Sequence, residues 1–212
     1  MSGDVLVVVR GEFSMEDPWA LPRSSETVRL RCATDGSAPR LATSVAAYYD
    51  DEFLTILFSA ADDHVVATRF GHDEPLYEED VVEAFLSPRS RDEYYEIEVS
   101  PAGTTFDARI ESPDGIRSTM RADVGWECEG LVAAVRKMIA ARNVMTIDTV
   151  VRVPFASVGS GAPGDGDSWR ANFFRVDRHP GEGDEYSAWR PTLKVPPDFH
   201  VVEAFGRLIF QQ

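Results

Sequence analysis

Short segments in which hydrophobic and polar residues alternate dominate the chain. In ETVRLRC, residues 26–32, the apolar Val28, Leu30 and Cys32 fall on one side of an extended backbone and polar or charged residues on the other. This alternation is the period of a half-buried β-strand. Seven further segments have the composition of strands, and they cover residues 4–12, 44–50, 53–60, 64–71, 80–88, 94–101 and 104–112.

Turn-forming residues separate these segments at intervals of roughly ten residues, as in TDGSAP, GHDEP and SPAG. Many short strands at regular spacing are typical of a β-sandwich. The chain has 212 residues, of which 43% are hydrophobic, and neither a repeat nor a linker divides it. This length is enough for one sizeable core. We therefore predict a single all-β domain that covers residues 1–212.

Residues 130–143, GLVAAVRKMIAARN, depart from this pattern. Val135, Met138, Ile139 and Arg142 sit at helical spacing and alanine is abundant, so local propensity favours a helix. The segment that follows, MTIDTVVRVPF, again has the character of a strand.

The charge of the chain is strongly negative and unevenly distributed. The formal net charge is -15, and residues 50–98 hold fifteen acidic residues but only three arginines. Such a field repels a phosphate backbone or an anionic lipid surface, so nucleic acid and membrane are poor candidates for partners. Neutral or cationic ligands remain.

The first residues of the sequence are not expected to act as a targeting segment. MSGDVLVVVRGEF has an acid before a short apolar run and lacks both a basic region and a cleavage site. No apolar run approaches the roughly 20 residues that span a bilayer. The two cysteines, Cys32 and Cys128, do not indicate a disulfide scaffold, although one bridge stays open. We expect a cytoplasmic protein, or a secreted one if the start of the gene was trimmed.

The stretch EPLYEEDVVEAF, residues 74–85, surrounds Tyr77 with acids and raises three chemical possibilities, of which catalysis is the first. A glycosidase needs two carboxyl groups about 5–10 Å apart. In a strand, Asp80 and Glu83 point to opposite faces because their separation is odd. A local catalytic pair is therefore disfavoured, and because nothing singles out a distant pair, we do not predict an enzyme.

A metal site is the second possibility. The acidic runs YDDE and AADD could supply oxygen ligands to calcium, but EF-hand spacing is absent and sheet edges are often acidic for solubility. The four histidines show no ligand spacing for zinc or haem. A structural calcium ion therefore stays open as a cofactor, and no metal ligand is assigned.

A saccharide site is the third possibility. Sugars present apolar C–H faces and a rim of hydroxyl groups, which exposed aromatic rings and carboxylate, amide or guanidinium groups recognise together. Tyr77 beside its acids fits this chemistry, and it fits packing in a core equally well.

Seven segments, in the same order along the chain, resemble the carbohydrate-binding family 9-like domains, whose founding members are xylan-binding modules with a β-sandwich fold. Three of them are LYEEDVVEAFLSP (76–88), YYEIEVSPAGTTFD (94–107) and WRANFFRVD (169–177), and the others cover residues 42–63, 145–159, 187–192 and 197–210. The resemblance implies a jelly-roll-like β-sandwich of two antiparallel sheets. It also implies strand and turn, in place of a helix, over residues 130–143.

The resemblance further implies non-catalytic binding of a saccharide or of an oligosaccharide end. In the best-known members two tryptophans clamp the terminal sugar, and Tyr77 and Phe199 match their positions. Glu83 looks like the ligand-facing acid of the family. Tyr95 falls near a basic residue that binds hydroxyl groups in those members, and Asp80 is expected to fix a turn.

Three more residues are expected at the rim of this site. Arg69 belongs to the segment that leads to Tyr77, and His200 directly follows Phe199. Trp189 lies in a polar loop, where lining a groove and packing inward are equally open.

Three other conspicuous residues are assigned to the structure of the domain. Arg175 is expected to pair with a buried acid, although its guanidinium could also reach a ligand. Trp126 and Trp169 are expected in or beside the core because large aromatic side chains are highly buried on average.

Two alternatives to sugar binding come from other classes of protein. One is an interaction module that keeps the sandwich but has lost sugar binding, which the absent secretion signal and the replaced tryptophans favour. The other is a redox domain, since related sandwiches hold a haem between methionine and histidine or lysine ligands.

Overall fold

The computed structural model describes residues 3–141 and 144–212, and these residues form an almost entirely β structure with two short 3-10 helices, Leu76–Glu78 and Val202–Ala204. The predicted all-β class is confirmed. The strands are β1 Val5–Arg10, β2 Thr27–Arg29, β3 Arg31–Cys32, β4 Thr43–Tyr49, β5 Phe53–Asp62, β6 Val81–Ser87, β7 Glu93–Val99, β8 Thr105–Glu111, β9 Arg121–Asp123, β10 Val132–Ala141, β11 Val144–Pro154, β12 Ser168–Asp177, β13 Glu185–Ala188 and β14 Gly206–Gln211.

The main strands join in the order β10-β11-β5-β4-β1-β14-β12-β6-β7-β8-β9. β1 pairs in parallel with both β14 and β4, whereas the other pairs are antiparallel. The expected two antiparallel sheets are thus one continuous sheet that folds back on itself, with β1 parallel to its two neighbours. Because β1 pairs on both sides, it closes two edges that would otherwise be open to other chains.

The main core lies between the two halves of this sheet. Phe58 of β5 packs against Phe173 of β12 with ring centroids 5.9 Å apart, although these strands are not neighbours in the sheet. Alternate residues of each strand enter this core, as Val45, Ala47 and Tyr49 of β4 do. Removal of these apolar faces from water is the main force that holds the sandwich together.

A second apolar layer covers the outer face of β6, β7, β8 and β12. On β12, Phe173 points into the main core and the next residue, Phe174, points into this second layer. The segment around the second 3-10 helix closes over the layer from outside. Its large members are Leu76, Val81, Phe85, Tyr94, Phe106, Ile110, Phe174, Val176, Phe199, Val202 and Phe205.

Residues 132–141 form strand β10, which pairs antiparallel with β11. The strand that the family resemblance implies is therefore confirmed, and the helix favoured by local propensity is wrong for these residues. Ala133 and Val135 pack against the main core. This tertiary contact outweighs the helix propensity of alanine, which is worth less than about 1 kcal/mol per residue. Residues 142–143, the end of the segment in question, lie outside the described part of the chain.

The strand predicted over residues 64–71 is wrong, because this segment is an extended loop. Its backbone donors are satisfied by side chains instead of by a neighbouring strand. The Val66 amide donates to Asp80 Oδ2 at 2.5 Å, and the Thr68 amide donates to Glu79 Oε2 at 2.6 Å. Apolar composition alone could not reveal this. Asp80, expected to fix a turn, accepts hydrogen bonds from the amides of Val66 in this loop and of Arg178.

Arg175 is buried and pairs with buried acids, as expected. Its Nη2 lies 2.9 Å from Asp62 Oδ2 and 3.4 Å from Asp177 Oδ1. Its Nη1 also donates to the Ala61 carbonyl at 2.7 Å. The guanidinium is therefore fully used inside the protein and is not available to a ligand.

The acidic runs YDDE and AADD, which could have held calcium, face arginines. Asp50 lies 2.5 Å from Arg152, and Asp63 lies 2.6 Å from Arg40. Asp51 pairs with Arg10, and Asp62 pairs with Arg175. These carboxylates form ion pairs with arginines of the chain, so the two runs are weak candidates for a cation site.

The other structural expectations concern the tryptophans and cysteines. Trp169 lies in the main core and Trp126 packs against it, as expected. Cys32 and Cys128 are both free thiols. Neither of the two helices in the described ranges has the length or apolar character needed to cross a bilayer.

Candidate functional site

A pocket of about 450 Å³ opens beside the second apolar layer. Its aromatic side chains are Tyr77, Phe106, Tyr186 and Phe199, and its polar side chains are Glu83, Glu96, Arg117, Arg178, Asp198 and His200. Concave sites of this size with an apolar lining and a few polar groups are typical of small-molecule binding. Four residues singled out from the sequence, Tyr77, Glu83, Phe199 and His200, are brought together here.

Tyr77 forms the exposed aromatic wall of the pocket. It lies on the first 3-10 helix, and 49% of the residue is exposed. Its ring meets Phe106 edge to face with centroids 6.2 Å apart. This contact fixes the ring at one edge and leaves aromatic surface open to a ligand.

Phe199 forms a second wall, but most of its surface is already covered. Its ring stacks on Phe174 with centroids 4.3 Å apart and planes 14° from parallel, and Tyr186 meets it edge to face. Only 9% of Phe199 is exposed. One ring face is therefore used for packing, so Phe199 can offer a ligand less surface than Tyr77 can.

Glu83, Glu96 and Glu98, which we call the glutamate trio, lie beneath the aromatic walls. Glu83 shares a face of β6 with Phe85, and in the β6–β7 ladder it stands opposite Glu98. Glu83 and Glu96 line the pocket, whereas Glu98 is fully buried. Burial raises the pKa of all three carboxyl groups, that of Glu96 to about 7. The floor of the pocket is therefore acidic and poorly hydrated.

Arg178 ties the walls of the pocket to one another. Its Nη1 donates to Asp184 Oδ2 at 2.7 Å and to the Tyr186 hydroxyl at 2.5 Å. Its Nη2 donates to the Tyr77 carbonyl oxygen at 2.7 Å. This one side chain holds the 3-10 helix that carries Tyr77 against strand β13, which carries Tyr186.

His200 lies at the junction of the pocket and the second apolar layer. Its Nδ1 is 2.7 Å from the Tyr94 hydroxyl, and its Nε2 is 3.9 Å from Glu96 Oε1. Burial lowers the pKa of His200 to about 3. The imidazole is therefore neutral near pH 7, and it can donate or accept a hydrogen bond but does not act as a cation.

Tyr95, expected to bind ligand hydroxyl groups, is not in the pocket. Successive residues of a strand point to opposite faces, and on β7 the pocket side belongs to Tyr94 and Glu96. Tyr95 therefore points into the main core, where its ring lies 4.9 Å from that of Trp126. Its hydroxyl donates to Glu93 at 3.1 Å.

Arg69 and Trp189, expected at the rim, also lie elsewhere. Arg69 pairs with Glu78 on the outer surface of the loop before β6. Trp189 is buried in the main core, where its ring stacks on Phe173 with centroids 5.6 Å apart. Burial of the large apolar surface of the Trp189 ring stabilises the fold. This gain in free energy outweighs the tendency of the polar residues around Trp189 to keep the segment at the surface.

The Tyr95→Phe variant tests this assignment. We expect its affinity for a saccharide to stay within about twofold of the wild type, since the lost hydroxyl is a single hydrogen bond to Glu93 on the far side of the strand. Isothermal titration calorimetry of both proteins with the same sugar measures the difference. A tenfold loss would place the ligand on the other face of β7 and contradict the site described here.

Several residues of the pocket were missed from the sequence. Alternate residues of a strand share a face, so Glu96 and Glu98 lie on the face of β7 opposite to that of Tyr95. Counting along the strand could therefore have indicated Glu96. Tyr186 and Arg178 carry no such signal. They approach Tyr77 only because β12 and β13 form a hairpin at this end of the fold.

A family model described as Carbohydrate-binding family 9 matches residues 32–210 of the chain. This range includes the pocket residues from Tyr77 to His200 and all strands from β4 to β13. No curated protein matches the sequence.

Solved structures with similar folds include two kinds of protein. One, from Bacteroides uniformis ATCC 8492 and described as a "putative carbohydrate-binding protein", is 18% identical with a TM-score of 0.72, and the alignment covers 98% of this chain and 99% of that chain. A family 9 carbohydrate-binding module from Caldicellulosiruptor kristjanssonii in complex with cellotriose is 13% identical with a TM-score of 0.65, covering 98% and 93% of the two chains. A complex from the same organism with glucose is 11% identical with a TM-score of 0.63, covering 98% and 95%. These likenesses establish a shared β-sandwich fold.

Proposed function

The chain belongs to carbohydrate-binding family 9, and from this premise we propose that it binds a saccharide or the end of an oligosaccharide, without catalysis, in the pocket beside Tyr77. The modules from Caldicellulosiruptor kristjanssonii bind cellotriose and glucose. A glucose-type sugar is therefore the first ligand to test.

The observation that carries this proposal is the position of Tyr77. A half-exposed aromatic ring stands over a pocket whose floor presents the carboxyl groups of Glu83 and Glu96. A pyranose needs this combination, because its apolar C–H face stacks on a ring while its hydroxyl groups donate to acceptors beneath. Phe199 and neutral His200, which come from a different segment of the chain, also line the pocket.

The size and enclosure of the pocket suit a chain end better than the middle of a polymer. Its volume of about 450 Å³ falls within the roughly 300–1,000 Å³ typical of sites for small molecules. Tyr77 and Phe199 come from segments far apart in the sequence and both line the pocket, so a bound sugar would contact both segments. We propose that one or two sugar units enter and the remainder of a chain stays outside.

Replacing Tyr77 with alanine is expected to weaken saccharide binding by about tenfold or more, or at least about 1.4 kcal/mol. The ring is the most exposed aromatic surface in the pocket, and its loss removes the stacking contact. Calorimetric titration with glucose and cellotriose measures the effect, after a glycan array has selected the best ligand. Phe70→Ala is the matched control, because Phe70 is an even more exposed ring outside the pocket.

Three outcomes would argue against the proposed site or function. Equal affinities in wild type and Tyr77→Ala would place the ligand elsewhere on the domain. An array without any bound glycan would favour an interaction module that has lost sugar binding. A Soret band in the purified protein would point instead to the haem-binding alternative.

Because two carboxyl groups with raised pKa values face the pocket, the absence of catalysis needs its own measurement. We expect oligosaccharides that bind to remain uncleaved after prolonged incubation, as judged by chromatography. Cleavage that stops in the Glu83→Gln variant would show that the site is catalytic.

A further inference from the structure

The glutamate trio is a closely spaced group of buried acids. One carboxylate oxygen from each of Glu83, Glu96 and Glu98 lies within 4.8 Å of the other two. The exposed fractions of the three residues are 2%, 7% and 0%. Three carboxyl groups on adjacent strands at this spacing repel one another strongly when ionised, because little water screens them.

Three oxygens of the trio also lack a well-formed hydrogen bond. Glu83 Oε1 and both oxygens of Glu98 accept none of normal geometry within the described part of the chain, although the backbone of Tyr77 lies near Glu98. Buried polar atoms in native proteins are almost always paired, and an unpaired buried carboxylate costs several kcal/mol. Carboxyl oxygens that meet inside the protein in this way need either shared protons or a bound cation between them.

A second buried acid cluster in the same fold shows what such a partner looks like. Asp62, Asp80 and Asp177 also approach one another within 4.8 Å. There, Arg175 pairs with Asp62 and Asp177, and the Val66 amide donates to Asp80. The chain thus supplies that cluster with a cation and a donor of its own.

No basic group near the glutamate trio donates a hydrogen bond to it within the described residues, although the charge of Arg178 acts on Glu83 and its Nε is unpaired. Arg178 donates to Asp184, to the Tyr186 hydroxyl and to the Tyr77 carbonyl. Arg117 lies 4.0 Å from Asp198 at the mouth of the pocket. His200 Nε2 is 3.9 Å from Glu96, which is beyond hydrogen-bonding distance.

We propose that Glu83, Glu96 and Glu98 bind one calcium ion at the floor of the pocket. Calcium takes six to eight oxygen ligands at about 2.3–2.6 Å, and carboxylates are its preferred protein ligands. Three equidistant oxygens bound at this distance lie up to about 4.5 Å apart, so the observed spacing, within 4.8 Å, requires at most a small movement of the side chains. Glu83 and Glu96 line the cavity, so the remaining coordination positions face the pocket, where water or ligand hydroxyl groups can fill them.

This site is distinct from the acidic runs that the sequence suggested, whose carboxylates pair with arginines. It also does not depend on a bound sugar. Calcium would satisfy the orphaned oxygens in the free protein, and it would bring a hard electrophile to the position where a saccharide hydroxyl enters.

Calcium alone, added to chelator-treated full-length protein near pH 8, tests the proposal. We expect a single calorimetric site, release of protons on binding, an increase in the melting temperature, and terbium luminescence sensitised by nearby tyrosines. Glu98→Gln keeps the shape of the side chain and removes one charged ligand, so it should weaken calcium binding by at least about tenfold. Glu96→Gln serves as the second variant if Glu98→Gln does not fold.

Glu127→Gln is the matched control. Glu127 belongs to a more exposed cluster with His72 and Asp73 whose ligand atoms are equally close. We expect this variant to bind calcium as the wild type does. A wild type that binds no calcium at millimolar concentrations, or a Glu98→Gln variant that binds it equally well, would overturn the proposal.

The saccharide measurement, repeated in chelator, separates this inference from the proposed function. Sugar binding without any calcium binding would remove the cation site and keep the saccharide pocket. Calcium binding without any sugar binding would remove the saccharide pocket and keep the cation site.

Discussion

Replacing Arg175 with methionine is expected to lower the free energy of unfolding by about 3–5 kcal/mol. Arg175 neutralises Asp62 and Asp177 inside the sandwich, and all three residues are buried. Methionine fills much of the same space but leaves Asp62 without a cation and leaves Asp177 with Arg40 alone, 3.4 Å away. The cost of an unpaired buried charge, and not the strength of the ion pair, sets the size of this effect.

Urea unfolding at pH 7 measures the loss. Arg109→Met is the matched control, because its partner Asp123 is half exposed and such a surface pair is worth no more than about 1 kcal/mol. A triple variant in which Asp62 and Asp177 also become asparagine should recover part of the stability. A loss below about 1 kcal/mol for Arg175→Met alone would show that water reaches the buried acids.

Replacing Phe174 with alanine is expected to cost about 3–5 kcal/mol of stability and also to abolish most saccharide binding. Phe174 is fully buried in the second apolar layer and stacks directly beneath Phe199. The cavity left behind would free Phe199 to turn away from the pocket. This variant therefore couples the packing of the layer to the geometry of the site.

Phe173→Ala provides the control, since Phe173 is the adjacent residue of β12, is equally buried, and points into the main core. We expect a similar loss of stability from both variants in urea unfolding but a loss of ligand affinity only from Phe174→Ala. Calorimetric titration at a temperature where both variants are folded makes the comparison. Equal affinities would mean that the second apolar layer does not position the pocket.

The fold could be predicted largely because strand alternation is a local signal that burial on one face imposes. Residues 26–32 show it clearly, and their observed burial follows the predicted sides. Residues 64–71 have a similar composition but obtain their hydrogen bonds from the side chains of Glu79 and Asp80. The group that accepts the hydrogen bond of a backbone amide depends on the tertiary structure. Composition alone could therefore not distinguish this loop from a strand.

The candidate site could be predicted only in part. One reason is the difficulty of assigning a residue to the correct face of a strand, and the other is the separation of contacting residues along the sequence. Tyr77, Glu83 and Phe199 line one pocket, whereas Tyr95 is one residue out of step with it and points to the other face of β7. A match between sequences that is uncertain by one residue reverses the side of a strand. Arg178 reaches Tyr77 across more than a hundred residues of sequence, a contact that no local pattern encodes.

The parallel pairing of β1 with β14 determines how the domain bears mechanical load. Five residue pairs, from Val5 with Arg207 to Val9 with Gln211, join the two strands side by side. A force that separates Val5 from Gln211 makes these strands slide lengthwise past each other. The backbone hydrogen bonds between the strands then share the load and must break together. This geometry would resist shear much better than a hairpin pulled at its open end, whose hydrogen bonds break one after another.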